Sequence, residues 1–469
     1  DQTTISIDKV KNSPLQLGRK DVGKLLMQYA IPSIIATTAA ALYNITDSIF
    51  IGHGVGALAI SGLAITFPLM NLSAALGTMV GVGASALLSM RLGQKDYDSA
   101  NKILGNVFVL TFIVGVVFTV PILVFLKPIL YFFGASHETL PYAYDFMQII
   151  VSGTVVTHIY FSLNAIIRAS GQPMKSMTAT IMTVVINVIL NPLFIFGLGW
   201  GIRGSAFATI ISQMIVLMWQ IHLFRNKDSF LRVRRQDIRL NGKIVLDTIA
   251  IGLSPFLMNA ASSVIVILIN QGLLRYGGDL AVGAFGIVNR IAMLFVMIVI
   301  GLNQGMQPIA GYNYGAKLYS RVTEVLKKAI VIATMIMSVG FLTAQLIPHQ
   351  IVSAFTSDQD LISNAETGLR IVFLFYPLIG FQMVVSTFFQ SIGKSGNAIF
   401  LSLTRQVIFL IPFLLILPHF YGKNGVWIAM PASDAISIIM SYILIHRQIK
   451  IFKKQQHQSE AFAEVDEIR

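Results

Sequence analysis

Four polar side chains occupy places where a membrane-type sequence should carry none. Asp47 lies in YNITDSIFIG (43–52), at the end of a long apolar run, Asn187 and Asn191 lie in INVILNPLF, and Thr209 closes GIRGSAFAT. A charge at the centre of a membrane helix costs roughly 2.5–3.5 kcal/mol on insertion scales, so a carboxylate there calls for a use. Asn187 and Asn191 are four apart and share one helix face. Pro192 follows them directly, weakens the local hydrogen-bond ladder and can free a carbonyl. A carboxylate, two amide oxygens and a hydroxyl form a hard-oxygen set that could hold H⁺ or Na⁺. Were the ion Na⁺, its ligands would be Asp47, Asn187 and Asn191. No HExxH, paired-carboxylate or Ser-His-Asp pattern stands out, so neither an enzyme nor a cofactor is expected.

The elements that must position these groups follow from composition. The chain has 469 residues, 55% hydrophobic and only 12% charged, with a mean hydropathy of +0.73. Soluble domains carry about 25% charged residues. Segments such as KILGNVFVLTFIVGVVFTVPILVFL reach the roughly 20 apolar residues of a span and do not alternate as barrel strands would. Twelve helical spans are predicted near 25–51, 57–82, 103–126, 143–167, 176–199, 204–224, 244–274, 280–308, 325–347, 366–392, 398–418 and 424–446. Residues 1–20 lack an apolar signal core, so no cleavable leader is expected. The absence of cysteine excludes disulfides and thiolate metal sites.

The net charge of +13 would suggest nucleic acid in a soluble protein, but topology accounts for it. Of 34 Lys and Arg, only Lys127, Arg203, Arg275 and Lys423 fall on outer loops when both termini are placed inside. Arg290, Arg370 and Arg405 fall in or at the edge of spans, and the other 27 fall inside. That bias predicts cytoplasmic termini by the positive-inside rule. The bilayer is the expected large partner, and nucleic acid is not.

The chain repeats itself at a spacing of 222 residues. GALAISGLAI (56–65) resembles GDLAVGAFGI (278–287). RLGQKDYDSA meets NYGAKLYSRV through Gly93/Gly315, Lys95/Lys317 and Tyr97/Tyr319, and RASGQPMKS meets QSIGKSGNA through Gly171/Gly393. GIRGSAFA meets GKNGVWIA at 221. Six spans per copy is an even number, so both copies enter from one side, as in transporters built from parallel repeats. The predicted architecture is all-α and polytopic: twelve transmembrane helices in two six-helix bundles related by a pseudo-two-fold along the membrane normal. A tail (1–20), a first bundle (21–224), a basic linker (225–243), a second bundle (244–448) and a tail (449–469) complete it. The repeat is also an internal control. Asp47 corresponds to Ile269, Asn187 and Asn191 to Phe409 and Phe413, and Thr209 to Met430. The polar set belongs to the first copy alone, which argues against a scaffold role. At 1.5 Å per residue, Asp47 and Thr209 lie roughly 8 Å, and Asn191 roughly 12 Å, from the outer ends of their spans, so the three can meet.

The remaining intramembrane charges, Arg290, Arg405 and Asp434, are expected to be buried and to pair with one another or with carbonyls. With Asn44, Met293 and Met297 they are also candidates to line a substrate cavity. Met306 belongs to the same methionine set, which suits adaptable surfaces or ordinary packing. GTMVG (77–81) reads as close helix packing. The sequon at Asn44 lies inside a span and is discounted.

At these residues the chain resembles the multidrug and toxic compound extrusion family, nearest its DinF-like and MepA-like bacterial members. The resemblance covers about residues 20–450. It rests on the two-bundle pattern, the Pro32–Asp47 spacing, INVILNP and GIRGSAFAT. It implies cation-coupled export of organic, often cationic, compounds, here across the cytoplasmic (inner) membrane of a bacterium. A monomer is expected. The family's span-1 carboxylate matches Asp47, its span-1 proline, linked to helix bending, matches Pro32, its span-5 polar pair matches Asn187 and Asn191, and its span-6 threonine matches Thr209. Some members carry Asp where this chain has Asn191, which leaves H⁺ and Na⁺ both open. Another branch has a span-7 glutamate that GLSPFLMNAASS (252–263) lacks. The alternative is a flippase for a lipid-linked or polysaccharide-lipid substrate, whose anionic cargo would call for Arg or Lys in the cavity.

Overall fold

The computed structural model describes residues 14–225, 230–355 and 357–467. Parts of both predicted tails (1–13 and 468–469) and of the linker (226–229) lie outside the described residues. Among the described residues the secondary structure is helical, without a strand. Ten helices are long and apolar enough to cross a membrane, or up to twelve if each of two bent pairs forms one span.

The first copy of the repeat supplies α1 (Val22–Gly54), α2 (Ala57–Gly93), α3 (Tyr97–Val124), α4 (Leu140–Ser152), α5 (Thr154–Ala169), α6 (Pro173–Pro192) and α7 (Ile202–Leu223). The second supplies α8 (Gly242–Gly278), α9 (Leu280–Gly315), α10 (Tyr319–Leu346), α11 (Gln359–Val372), α12 (Tyr376–Ser391), α13 (Ser395–Tyr421) and α14 (Lys423–Glu467). The last helix runs on through the predicted tail as far as Glu467. Two spans read as continuous in the sequence are bent: α4 meets α5 at 56° and α11 meets α12 at 54°.

The backbone carries the repeat more plainly than the side chains do. Starts at Tyr97 and Tyr319, Thr154 and Tyr376, and Pro173 and Ser395 keep the 222-residue spacing. Among the described residues, the two non-glycine residues with a positive φ, Lys95 and Lys317, are repeat mates at φ 59°. Each follows a helix whose last carbonyls are closed by an i→i−5 bond, Asp96 N–H to Arg91 O and Leu318 N–H to Asn313 O. That geometry usually takes glycine. Asp96 then caps α3 by accepting from the Ser99 N–H at 3.0 Å. Hydrogen bonds from Ser99, helped by Arg91 at 3.8 Å, hold its carboxyl below the usual carboxylate range.

By contacts the chain groups into two units, one of residues 1–19 and 35–256, the other of 20–34 and 257–469. Each therefore contains a short stretch of the other copy's first helix. In the first unit α2 crosses the start of α8 at backbone distance: a Cβ on Gly252 would lie 2.6 Å from the Met79 carbonyl carbon, and one on Gly83 2.8 Å from that of Thr248. In the second unit α9 meets the start of α1 in the same way, with Gly301 against Ile34 and Gly305 against Ala30. GTMVG packs as the sequence predicts: Gly77 faces the His158 ring and Gly81 the Ser162 backbone, both on α5.

Candidate functional site

Within the first unit, α1, α6 and α7 bring the sequence-predicted polar set together. Asp47 is 9% exposed, Asn187 2% and Asn191 1%. The Asn191 amide donates to Asp47 Oδ1 and, at 3.4 Å, to Asn187 Oδ1. Asn187 Nδ2 donates to Thr209 Oγ1 at 3.2 Å and to the Tyr43 hydroxyl at 3.0 Å. Tyr43 and Thr209 hydroxyls are 3.0 Å apart. Thr209 does not bond Asp47 directly but is linked to it through Asn187 and Asn191, and its hydroxyl donates to the Ser205 carbonyl at 3.2 Å. Pro192 ends α6, and a wide turn of π type (Leu193–Gly197) follows, as expected where a ring replaces an N–H. Such turns recur at functional sites.

Two members of the cluster were not foreseen. Ser205 donates to Asp47 Oδ1 at 2.7 Å, and Tyr43 joins Asn187 to Thr209. Each sits four residues before a residue already singled out, on the same helix face. The repeat mates are Ile265 and Val426, so the same internal control marks them.

Two properties define the chemistry. No Lys or Arg among the described residues lies within ion-pair distance of Asp47. And Asn191 Oδ1, beside the carboxylate, is buried without a donor. Buried acceptors are normally satisfied, and a buried charge without a partner costs several kcal/mol. A buried carboxylate and a nearby amide oxygen that accepts from no donor are groups that suit a proton or a monovalent cation.

The other candidates lie elsewhere. In the second unit, Arg405 Nε and Asp434 Oδ1 pair at 2.9 Å, with Asp434 7% exposed. Ser433 donates to the Arg405 carbonyl, and Arg405 stands in a second π turn (Thr404–Leu410). Arg290, expected to be buried and paired, is exposed, with no carboxylate within ion-pair distance among the described residues. Met293 and Asn44 are exposed, Met297 is half-buried, and Met306 is fully buried. A helix apolar on all sides gives the sequence no means of telling these faces apart. Pro32 is buried in α1, two residues before the Ile34/Ile35 division between the units.

Comparison with known proteins gives the family. The MatE family model matches residues 32–193 and 251–416. The multidrug export protein MepA of Staphylococcus aureus strain MSSA476 is 26% identical over 428 residues, 91% of this chain and 94% of its own. Its namesake from Staphylococcus haemolyticus strain JCSC1435 is 27% identical, over 90% and 93%. An outward-facing structure of a multidrug resistance MATE family transporter of the MOP superfamily superposes with a TM-score of 0.88 at 26% identity, covering 94% of this chain and 98% of that one. A polytopic helical chain, matched over most of its length by one transporter family, belongs to that family: this is a MATE family transporter.

Proposed function

We propose that the chain is a cation-coupled secondary antiporter that exports amphipathic organic cations or drugs across the bacterial cytoplasmic membrane by alternating access, with both termini cytoplasmic. The carrying observation is the buried Asp47 carboxylate with no fixed counter-cation. A charge so placed is stable only when a proton, Na⁺ or a cationic cargo joins it. Occupants that compete for one carboxylate are exchanged, and a ligand drives a conformational change through its different affinity for the two states. The residues fit both coupling ions: Asp47 takes a proton, or Asp47, Asn191 Oδ1 and Asn187 supply oxygens to Na⁺, with Tyr43, Ser205 and Thr209 orienting them. Relatives named as multidrug exporters support the cargo class. The flippase reading gains nothing from Arg405, which is neutralised by Asp434.

The test is uptake of a fluorescent cationic dye into inverted vesicles, with the pH and Na⁺ gradients imposed one at a time. One gradient alone should drive uptake, and uptake without either would sink the antiport reading. Tyr43→Phe removes the hydroxyl shared by Asn187 and Thr209 while keeping the ring. It should slow uptake by about tenfold, the worth of one hydrogen bond to a neutral partner, with unchanged melting in detergent as the control. Asn191→Asp places a second carboxylate against Asp47. Two such groups need a shared proton or a cation, so uptake should become more steeply dependent on Na⁺ or pH. An unaltered ion titration would show that Asn191 does not touch the ion.

A further inference from the structure

The first unit carries a strip of surface that its coupling site does not use. After α7 the chain is pinned along α3: Asn101 Oδ1 accepts the Arg232 N–H at 2.8 Å and Asn106 Oδ1 the Asn241 N–H at 3.0 Å. Gly105 leaves room for the Asp237 backbone. Leu231 and Asp237 turn inward and are 2% and 4% exposed. Arg234 is consumed by Asp237 at 2.8 Å and Asp98 at 3.2 Å. The residues between these anchors point out. Arg232, Arg235, Arg239 and Lys243 are all exposed, and none has a carboxylate within ion-pair distance among the described residues. Asp247, four residues after Lys243, is not paired with it either. Interleaved with these cations are exposed apolar side chains, Ile238 at 43%, Leu240 at 47% and Leu246 at 68%.

We infer that residues 232–246 form a binding surface for anionic phospholipids of the adjoining leaflet. A water-facing surface gains nothing from exposing Ile238, Leu240 and Leu246. A purely lipid-facing one would not hold four unpaired cations. The combination matches a headgroup phosphate lying against Arg235, Arg239 and Lys243, with the first methylenes of an acyl chain along Leu246 at the start of the membrane-spanning α8. Basic clusters beside a span attract anionic lipid in this way, and long basic side chains reach the headgroup level from an apolar stem. The fixed backbone matters, because a pre-ordered strip loses little freedom on binding.

The test titrates full-length protein in neutral detergent with short-chain phosphatidylglycerol and, separately, phosphatidylcholine. Phosphatidylglycerol should bind and phosphatidylcholine should not. The triple variant Arg235→Gln/Arg239→Gln/Lys243→Gln should lose on the order of a hundredfold in affinity, from about fivefold per charge. Arg235→Lys/Arg239→Lys should keep most of it, which separates loss of charge from loss of fold. Equal binding of the two lipids by wild type, or unchanged binding by the triple variant, would overturn the inference. So would glycerol phosphate binding as tightly as the lipid, since the apolar half of the surface would then be idle.

Discussion

Asp47→Asn should reduce dye export to background at equal expression. Asparagine keeps the size of the side chain, and its oxygen can still accept from Ser205, so the helices stay where they are. What disappears is the negative charge that a proton, Na⁺ and a cationic cargo would compete for. Removing one partner of a buried charged interaction costs about 3–5 kcal/mol, which as lost coupling exceeds a hundredfold. Dye uptake under either gradient, measured beside melting temperature, separates the outcomes. Lost transport with an intact fold assigns the coupling to Asp47. Normal transport would leave the carboxylate a hydrated helix end and move attention to the Arg405–Asp434 pair.

The second large effect is on assembly. Gly83 and Gly252 let α2 and α8 touch through bare backbone, and each is met by rigid main chain rather than by a side chain that can turn away. Overpacking typically costs 1–3 kcal/mol. Here a branched side chain must separate two helices along their crossing, so about 3 kcal/mol or more is expected for Gly252→Val, against total stabilities of roughly 5–15 kcal/mol. Fluorescence-detected size exclusion should show little monodisperse protein, and Gly252→Ala should already melt lower. Gly286→Ala is the control: nothing lies within 4 Å of its Cβ, and alanine should stabilise that helix by about 1 kcal/mol. Wild-type behaviour of Gly252→Val would mean that the crossing is looser than its geometry.

The polar centre of the first unit was legible because the chain contains its own comparison. Asp47, Asn187, Asn191 and Thr209 stand against Ile269, two phenylalanines and a methionine in the other copy. Tyr43 and Ser205 pass the same contrast, but hydroxyls are common in membrane helices and often bond only their own turn, so type alone did not mark them. The exposure of Arg290 and the burial of Met306 were not legible, because they depend on which side of a uniformly apolar helix meets a neighbour. One bend was hidden: Gly153 lies between α4 and α5, and no proline stands at that break. The other was marked: Phe373–Phe375, between α11 and α12, are followed by Pro377 in the first turn of α12, where the ring removes an N–H and crowds the carbonyl four residues back.

The traded stretches of α1 and α8 bear on how the chain could be divided into two genes. A cut in 225–243 yields one repeat copy per fragment, yet neither copy is a complete unit. The first fragment would present the groove at Gly83 without Thr248 to fill it, and the second would present Gly301 and Gly305 without Ile34 and Ala30. Expressed singly, each should be degraded. Expressed together, each supplies the strip the other lacks, and the two half-length polypeptides should restore export by complementation.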